Sequence, residues 1–164
     1  MIELLVLDVD GCLTDGRISH TQNGDEIKSF NVKDGLAIAT WIRMGKRAAI
    51  ITGRSSKIVE KRARELRISH IHQGVKDKKG TLDRILQEEN LTYEQVAVIG
   101  DDLNDYHMLK AAAMSFTPSD GAMQIEPVVT YRLTRPGGAG AVREMIEIVI
   151  EKEGLQEQFL AQWL

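Results

Sequence analysis

The run Leu4-Leu5-Val6-Leu7 is apolar at every position and leads directly into Asp8-Val9-Asp10-Gly11-Cys12-Leu13-Thr14-Asp15-Gly16. A strand without polar alternation is buried on both faces, which calls for a parallel sheet with helices on either side. Asp8 and Asp10 then emerge at its carboxyl end, where open α/β sheets place their ligands. Further apolar runs alternate with helical patterns, as βαβ units require. Strands are expected at residues 4–8, 47–52, 70–72, 96–101, 115–116 and 128–129, and helices at 35–44, 56–66, 78–89, 104–113, 122–126 and 141–153. The expected fold is α/β, a doubly wound Rossmann-like parallel sheet in one domain spanning residues 1–164. Gly45 ends the first helix, Ser55 is placed to cap the second, and Thr92 with Gln95 forms a capping box or a turn.

One segment interrupts the alternation. Arg17-Ile18-Ser19-His20-Thr21 and Asp25-Glu26-Ile27-Lys28-Ser29-Phe30 flank Asn23-Gly24, the pair best suited to the positive φ angles of a tight hairpin turn. A β-hairpin over about residues 17–31 should therefore project beside the acidic pair, as a lid, an assembly element or a surface ornament.

A chain of 164 residues buries a core without disulfides. A formal charge of −3 gives no basic field, so neither nucleic acid nor an anionic membrane is expected as partner. With no signal sequence or long apolar stretch, a cytoplasmic address is expected. Cys12 is the single cysteine and reads as a packed side chain. His70 and His72 alternate on a short strand while His20 and His107 stand alone, a poor basis for a zinc site. Met108 and Leu109 read as core.

Three further elements stand at strand ends or helix starts: Thr52-Gly53-Arg54, Lys76-Asp77-Lys78, and Gly100-Asp101-Asp102-Leu103-Asn104-Asp105. With the first strand central, Asp8, Asp10, Thr52, Lys78 and Asp101 converge at the switch point. Three carboxylates in one cleft need a hard divalent cation, and oxygen donors select Mg²⁺. Asp8 can then attack phosphorus and form an aspartyl phosphate, with Lys78 balancing charge. Asp10 can protonate the leaving oxygen and later deprotonate water, while the Thr52 hydroxyl holds phosphoryl oxygens.

The ordered set D-x-D-G-x-x-T, Thr52, Lys78 and G-D-x-x-x-D resembles the haloacid dehalogenase superfamily. The resemblance implies Asp8 as nucleophile, Asp10 as acid/base and metal ligand through its carbonyl, and Thr52 and Lys78 as phosphate contacts. It makes Asp101 the third ligand, with Asp105 supporting it. The intervals from Asp10 to Thr52 and from Thr52 to Lys78 leave no room for a cap domain, so a macromolecular substrate or a neighbouring subunit must close the site. Asp15-Gly16, Asn31-Val32-Lys33-Asp34-Gly35, Arg54, Arg62, Gln73-Gly74 and Arg135-Pro136-Gly137-Gly138 with Gly140-Ala141-Val142-Arg143-Glu144 resemble a narrower, uncapped branch, the 3-deoxy-D-manno-octulosonate 8-phosphate phosphatases. That resemblance implies a homotetrameric phosphoric monoester hydrolase acting in lipopolysaccharide biosynthesis. It places substrate on Asp10, Asn31, Val32, Lys33, Asp34, Gly35, Arg54, Arg62 and Lys78. Arginine suits such a substrate, which carries a carboxylate as well as phosphate. Where some members carry a further basic residue, this chain has Ala39.

Other readings remain open. Arg54 and Arg62 lie near a highly charged helix and read alternatively as its solvated face. Residues 135–140 either cradle an anion or turn the chain. Relatives acting on nine-carbon sugar acid 9-phosphates tend to have Glu in place of Arg54, and a phosphoaspartate receiver domain is the non-enzymatic alternative. The tail, residues 154–164, either packs on its own domain or reaches a neighbouring subunit.

Overall fold

The computed structural model describes residues 1–164. Its main sheet contains β1 (Leu4–Leu7), β4 (Arg47–Ile51), β5 (His70–His72), β6 (Val96–Ile99), β7 (Met114–Thr117) and β8 (Tyr131–Arg132), while β2 (Ser19–His20) and β3 (Glu26–Ile27) form a separate hairpin. The sheet order is β5-β4-β1-β6-β7-β8, and every pairing in it is parallel. β1 is thus central, flanked by β4 and β6, and the order reverses about it. Leu7 lies level with Ile50 and Ile99, so the three chains leave the sheet side by side.

The uniform apolarity of β1 is used on both faces. Leu5 and Leu7 join the larger core, with α1 (Val32–Arg43), α2 (Lys57–Glu65), α5 (Ala141–Glu153) and α6 (Gln156–Leu160); Leu4 and Val6 join the smaller one, with α3 (Lys78–Glu89) and α4 (Tyr106–Ala111). Trp41 of α1 is fully buried, and its Nε1 donates to the Arg47 carbonyl at 2.9 Å, tying helix to strand. No helix is long and apolar enough to cross a membrane.

Several boundaries differ from those read in the sequence. α1 begins at Val32 because the Asn31 side chain caps it, accepting from the Lys33 N–H. Ser56, rather than Ser55, caps α2 by accepting from the Ile58 N–H. The 104–113 pattern splits into a 3₁₀ turn at Leu103–Asp105 and the short α4, and the helix expected at 122–126 is a 3₁₀ segment, Met123–Val128, that contains Pro127. Val128 and Val129 pack against the smaller core instead of forming a strand. Parallel pairing resumes after Thr130, whose N–H donates to the Ser115 carbonyl. The hairpin turn also differs in detail. Gly24 N–H bonds the Thr21 carbonyl and Thr21 N–H bonds the Asp25 carbonyl. Gly24 alone has positive φ, at 87°, whereas Asn23 does not. This is a three-residue loop with a glycine bulge, not a two-residue turn.

Candidate active site

Asp8 follows the last residue of β1 and its N–H donates to the Ile99 carbonyl of β6 at 3.2 Å, fixing its height above the sheet. Residues 9–14 then form a wide turn closed by the Thr14 N–H on the Val9 carbonyl. The Thr14 hydroxyl donates to the same carbonyl and accepts from the Gly11 and Gly16 N–H groups, holding the loop from within. Gly11 has φ +93°, and a Cβ there would lie 1.9 Å from Asp101 Oδ2. Glycine therefore lets the two acidic loops meet.

Lys78 is buried at the start of α3, where its Nζ donates to Asp8 Oδ1 at 2.9 Å and Asp105 Oδ1 at 2.6 Å. Asp105 Oδ2 accepts from the N–H groups of Asp101 and Asp102. One carboxylate thus orients both the lysine and the loop after β6. Burial lowers the Lys78 basicity, but the carboxylates of Asp8 and Asp105 outweigh it and keep the side chain an ammonium. Burial is also the main force raising the proton affinity of Asp8 and Asp101. Asp105 adds to it at Asp8 against the pull of Lys78, and Asp8 and Asp105 add to it at Asp101.

Asp8, Asp101 and Cys12 present ligand atoms within 4.8 Å of one another. Burial, with Asp8, Asp101 and Asp105 nearby, raises the Cys12 thiol well above its ordinary range, and a soft sulfur is a poor match for a hard cation that takes oxygen donors. The two crowded carboxylates fit a hard divalent cation, whose charge would relieve their repulsion. The Asp10 carboxylate points elsewhere. Its Oδ1 accepts from Lys28 Nζ on the hairpin, and Lys28 lies 3.3 Å from Glu26 Oε1. Glu26 Oε1 is also 3.6 Å from Arg54 Nη2. Slight burial opposes ionisation of Glu26, but hydrogen bonds from Ser56 and Lys28 and the charges of Lys28 and Arg54 hold its carboxyl below the usual range.

Thr52 is buried after β4, its backbone shared between the His72 carbonyl and the Val75 N–H. Arg62 packs its guanidinium against Gly35, where a Cβ would lie 2.3 Å away, and lines a small pocket with Phe30, Asn31 and Asp34. Among the run from Asn31 to Gly35, Val32 is 77 % exposed, whereas Asp34 is buried and accepts from the Arg143 N–H at 2.8 Å. Asp34 faces the domain interior. Asp102 caps the following turn, accepting from the Leu103 N–H, and is exposed. Residues 135–140 turn the chain against the loop that follows Asp8. Gly138 N–H donates to the Cys12 carbonyl, and a Cβ on Gly137 would lie 1.9 Å from the Gly11 carbonyl oxygen.

Lys28 and Glu26 were not singled out by motif, since lysine and glutamate are ordinary on an exposed hairpin. Their signal was the alternation Glu26, Lys28, Phe30, which places them on one side of an extended chain. Thr14 likewise carried no assigned role.

The sequence pattern of the haloacid dehalogenase-like hydrolases matches residues 31–113. The chain is 39 % identical over 153 residues to the 3-deoxy-D-manno-octulosonate 8-phosphate phosphatase of Escherichia coli K12, covering 93 % of this chain and 81 % of that one. For the Yersinia pestis enzyme of the same name, identity is 40 % over 149 residues, with 91 % and 80 % covered. The Moraxella catarrhalis phosphatase of that name, solved with magnesium, phosphate and KDO, superposes with a TM-score of 0.95 at 39 % identity, covering 99 % of this chain and 94 % of that one. The cobalt-bound Haemophilus influenzae enzyme gives 0.88 at 35 % identity, with 93 % and 90 % covered. The central β1, the acidic loops beside it and this likeness over nearly the whole length agree, and the chain belongs to the haloacid dehalogenase-like hydrolases.

Proposed function

We propose that this chain is a Mg²⁺-dependent phosphatase that hydrolyses 3-deoxy-D-manno-octulosonate 8-phosphate to the free sugar acid and phosphate, in lipopolysaccharide biosynthesis. The observation that carries the substrate is the end-to-end likeness to the Moraxella catarrhalis structure that holds magnesium, phosphate and KDO. Asp8, Asp10 through its backbone carbonyl, and Asp101 would hold the metal, which supplies positive charge to the phosphoryl oxygens.

Lys78 fixes one oxygen of Asp8, leaving the other to attack phosphorus as the bond to the sugar oxygen breaks. Asp10 gives its proton to the departing sugar oxygen, then takes one from the water that attacks the aspartyl phosphate, releasing phosphate and restoring Asp8. Lys78 and the Thr52 hydroxyl contact the phosphoryl group. Arg54, Arg62 and the backbone of Asn31, Val32, Lys33, Asp34 and Gly35 receive the sugar acid, with arginine forks on its carboxylate. Arg54 is half exposed and weakly held at 3.6 Å, so it is free to turn to a ligand. The assembly is a homotetramer that roofs the uncapped site, and the protein acts in the cytoplasm.

Phosphate release from a panel of sugar acid phosphates and neutral sugar phosphates with Mg²⁺ tests the reading. Asp8→Asn should abolish turnover, by at least about 10³-fold, since the attacking group is gone. Arg54→Ala should raise KM about tenfold or more for the acidic substrates and spare the neutral ones. Activity in Asp8→Asn would overturn the mechanism, and unchanged acidic-substrate kinetics in Arg54→Ala would overturn the specificity.

A further inference from the structure

Lys28 lies on the hairpin, 18 residues from Asp10 in sequence, yet its side chain is only 2 % exposed. An ammonium withdrawn from water to this degree requires fixed anionic partners. It has two, Asp10 Oδ1 and Glu26 Oε1. The hairpin does not need the Asp10 contact to form, because backbone bonds at Thr21, Gly24 and Asp25 already close its turn. Asp10, in contrast, depends on it. Asp10 sits on a loop of non-helical backbone next to Gly11, and no other hydrogen bond from the protein holds its carboxylate. Glu26 is shared between Lys28 and Arg54, so an unbroken line of charges runs Asp10, Lys28, Glu26, Arg54 across the mouth of the site.

We propose that Lys28 is a positioning residue for Asp10. By engaging Oδ1 it sets the carboxyl rotamer and leaves Oδ2 to meet the oxygen of the leaving sugar. Glu26 prevents the ammonium from swinging toward the phosphate and couples its placement to Arg54. The hairpin is then a working wall of its own chain's site, in addition to any role in assembly. This rests on the phosphatase reading, and specifically on Asp10 as proton donor. A positioning role acts on the chemical step more than on affinity, and it matters most when the departing oxygen needs a proton.

The test uses the full-length, Mg²⁺-loaded protein as wild type, Lys28→Met and Lys28→Arg. Single-turnover release of the leaving group is followed from two substrates. One is an alkyl phosphate, the sugar acid phosphate or any alkyl phosphate that the wild type turns over. The other is p-nitrophenyl phosphate, whose nitrophenolate departs without protonation. Lys28→Met should slow alkyl release by about tenfold or more but aryl release by less than about threefold, with KM within about twofold of wild type. Lys28→Arg should recover at least about threefold of the alkyl loss. Equal losses on both substrates, a change in KM alone, or no loss would each overturn the proposal. Melting midpoints confirm folding, and should Lys28→Met fail to fold, Lys28→Gln provides the same ratio. Wild-type preference for the sugar acid judges the phosphatase reading by itself, because the inference is read only from variant-to-wild-type ratios.

Discussion

Asp8 and Asp10 leave one strand end two residues apart and acquire opposite surroundings. Asp8 is 4 % exposed, fixed by Lys78 and faced by Asp101, whereas the Asp10 side chain is 19 % exposed and reaches only Lys28. The buried aspartate is thereby held rigidly by the lysine, while the other keeps one oxygen free of protein partners, a difference that suits the attacking and proton-transferring roles proposed for them. The close meeting of the loops leaves no room at Gly11. Gly11→Ala should abolish activity and displace Asp101, because its Cβ falls within bonding distance of Oδ2 at a positive φ. A crystal structure of the variant with Asp101 unmoved would contradict this.

Asp34 presents a different problem for a single residue. Its Oδ1 accepts from Arg143 N–H, but its buried Oδ2 has no partner. Burial raises its carboxyl from 3.8 to about 6, against the pull of the Arg143 N–H and of Arg135, Arg143 and Arg62. Between those two values the native state holds the proton that the unfolded chain has lost, so stability should fall as pH rises from about 4 to about 6. Asp34→Asn keeps the acceptor and removes the charge. Relative to wild type it should gain stability across that window, on the order of 1–3 kcal/mol, in urea denaturation at successive pH values. A constant difference between the two proteins across the window would exclude Asp34 as the source.

At the scale of elements, legibility in the sequence followed how local each cause was. The apolar run before Asp8, the glycine after α1 and the ends of α3 and α5 depend on neighbours in sequence, and they appear where expected. The 128–129 pair looked like a strand because buried valines look alike in a sheet or beneath a helix, and only its contacts with the smaller core separate the two. The site divides in the same way. Asp8, Lys78 and Asp101 were legible from motif spacing, and the structure brings them together. Lys28 was not, since its importance depends on where an 18-residue excursion folds back. The tail shows the same dependence on distant contacts. Phe159 enters the larger core, Trp163 Nε1 donates to Thr40 Oγ1 at 2.9 Å, and Arg43 stacks 4.4 Å from the indole centre, so the tail packs on its own α1. Trp163→Ala should cost about 1 kcal/mol, since the ring is half exposed and loses one cation–π contact and one hydrogen bond. An unchanged denaturation midpoint would show that the contact carries no stability.

At the scale of the whole molecule, the chain supplies a floor and one wall to the site but no cap. Ile18 and Ile27 on the hairpin and Val32 and Leu36 on the adjoining helix leave apolar surface open to solvent. Such surface in a single copy is suited to burial between copies. Light scattering with size-exclusion chromatography should give four times the 18.3 kDa chain mass, and a fully active monomer would exclude the tetramer.

The turn at Gly137 and Gly138 has a consequence for how the protein comes into being. It braces the loop that carries Asp8 and Asp10, although more than a hundred residues separate the two in the chain. Asp34 is tied to Arg143 across a similar interval. Contacts of such long sequence separation carry a large loop-closure entropy cost and cannot form until both partners are present. During synthesis on the ribosome, Asp8 and Asp10 emerge more than a hundred residues ahead of this turn, and their loop stays unbraced until the turn has followed. A chain cut before Gly137 lacks this brace, so it should show no turnover even where the strands that carry the acidic loops are present.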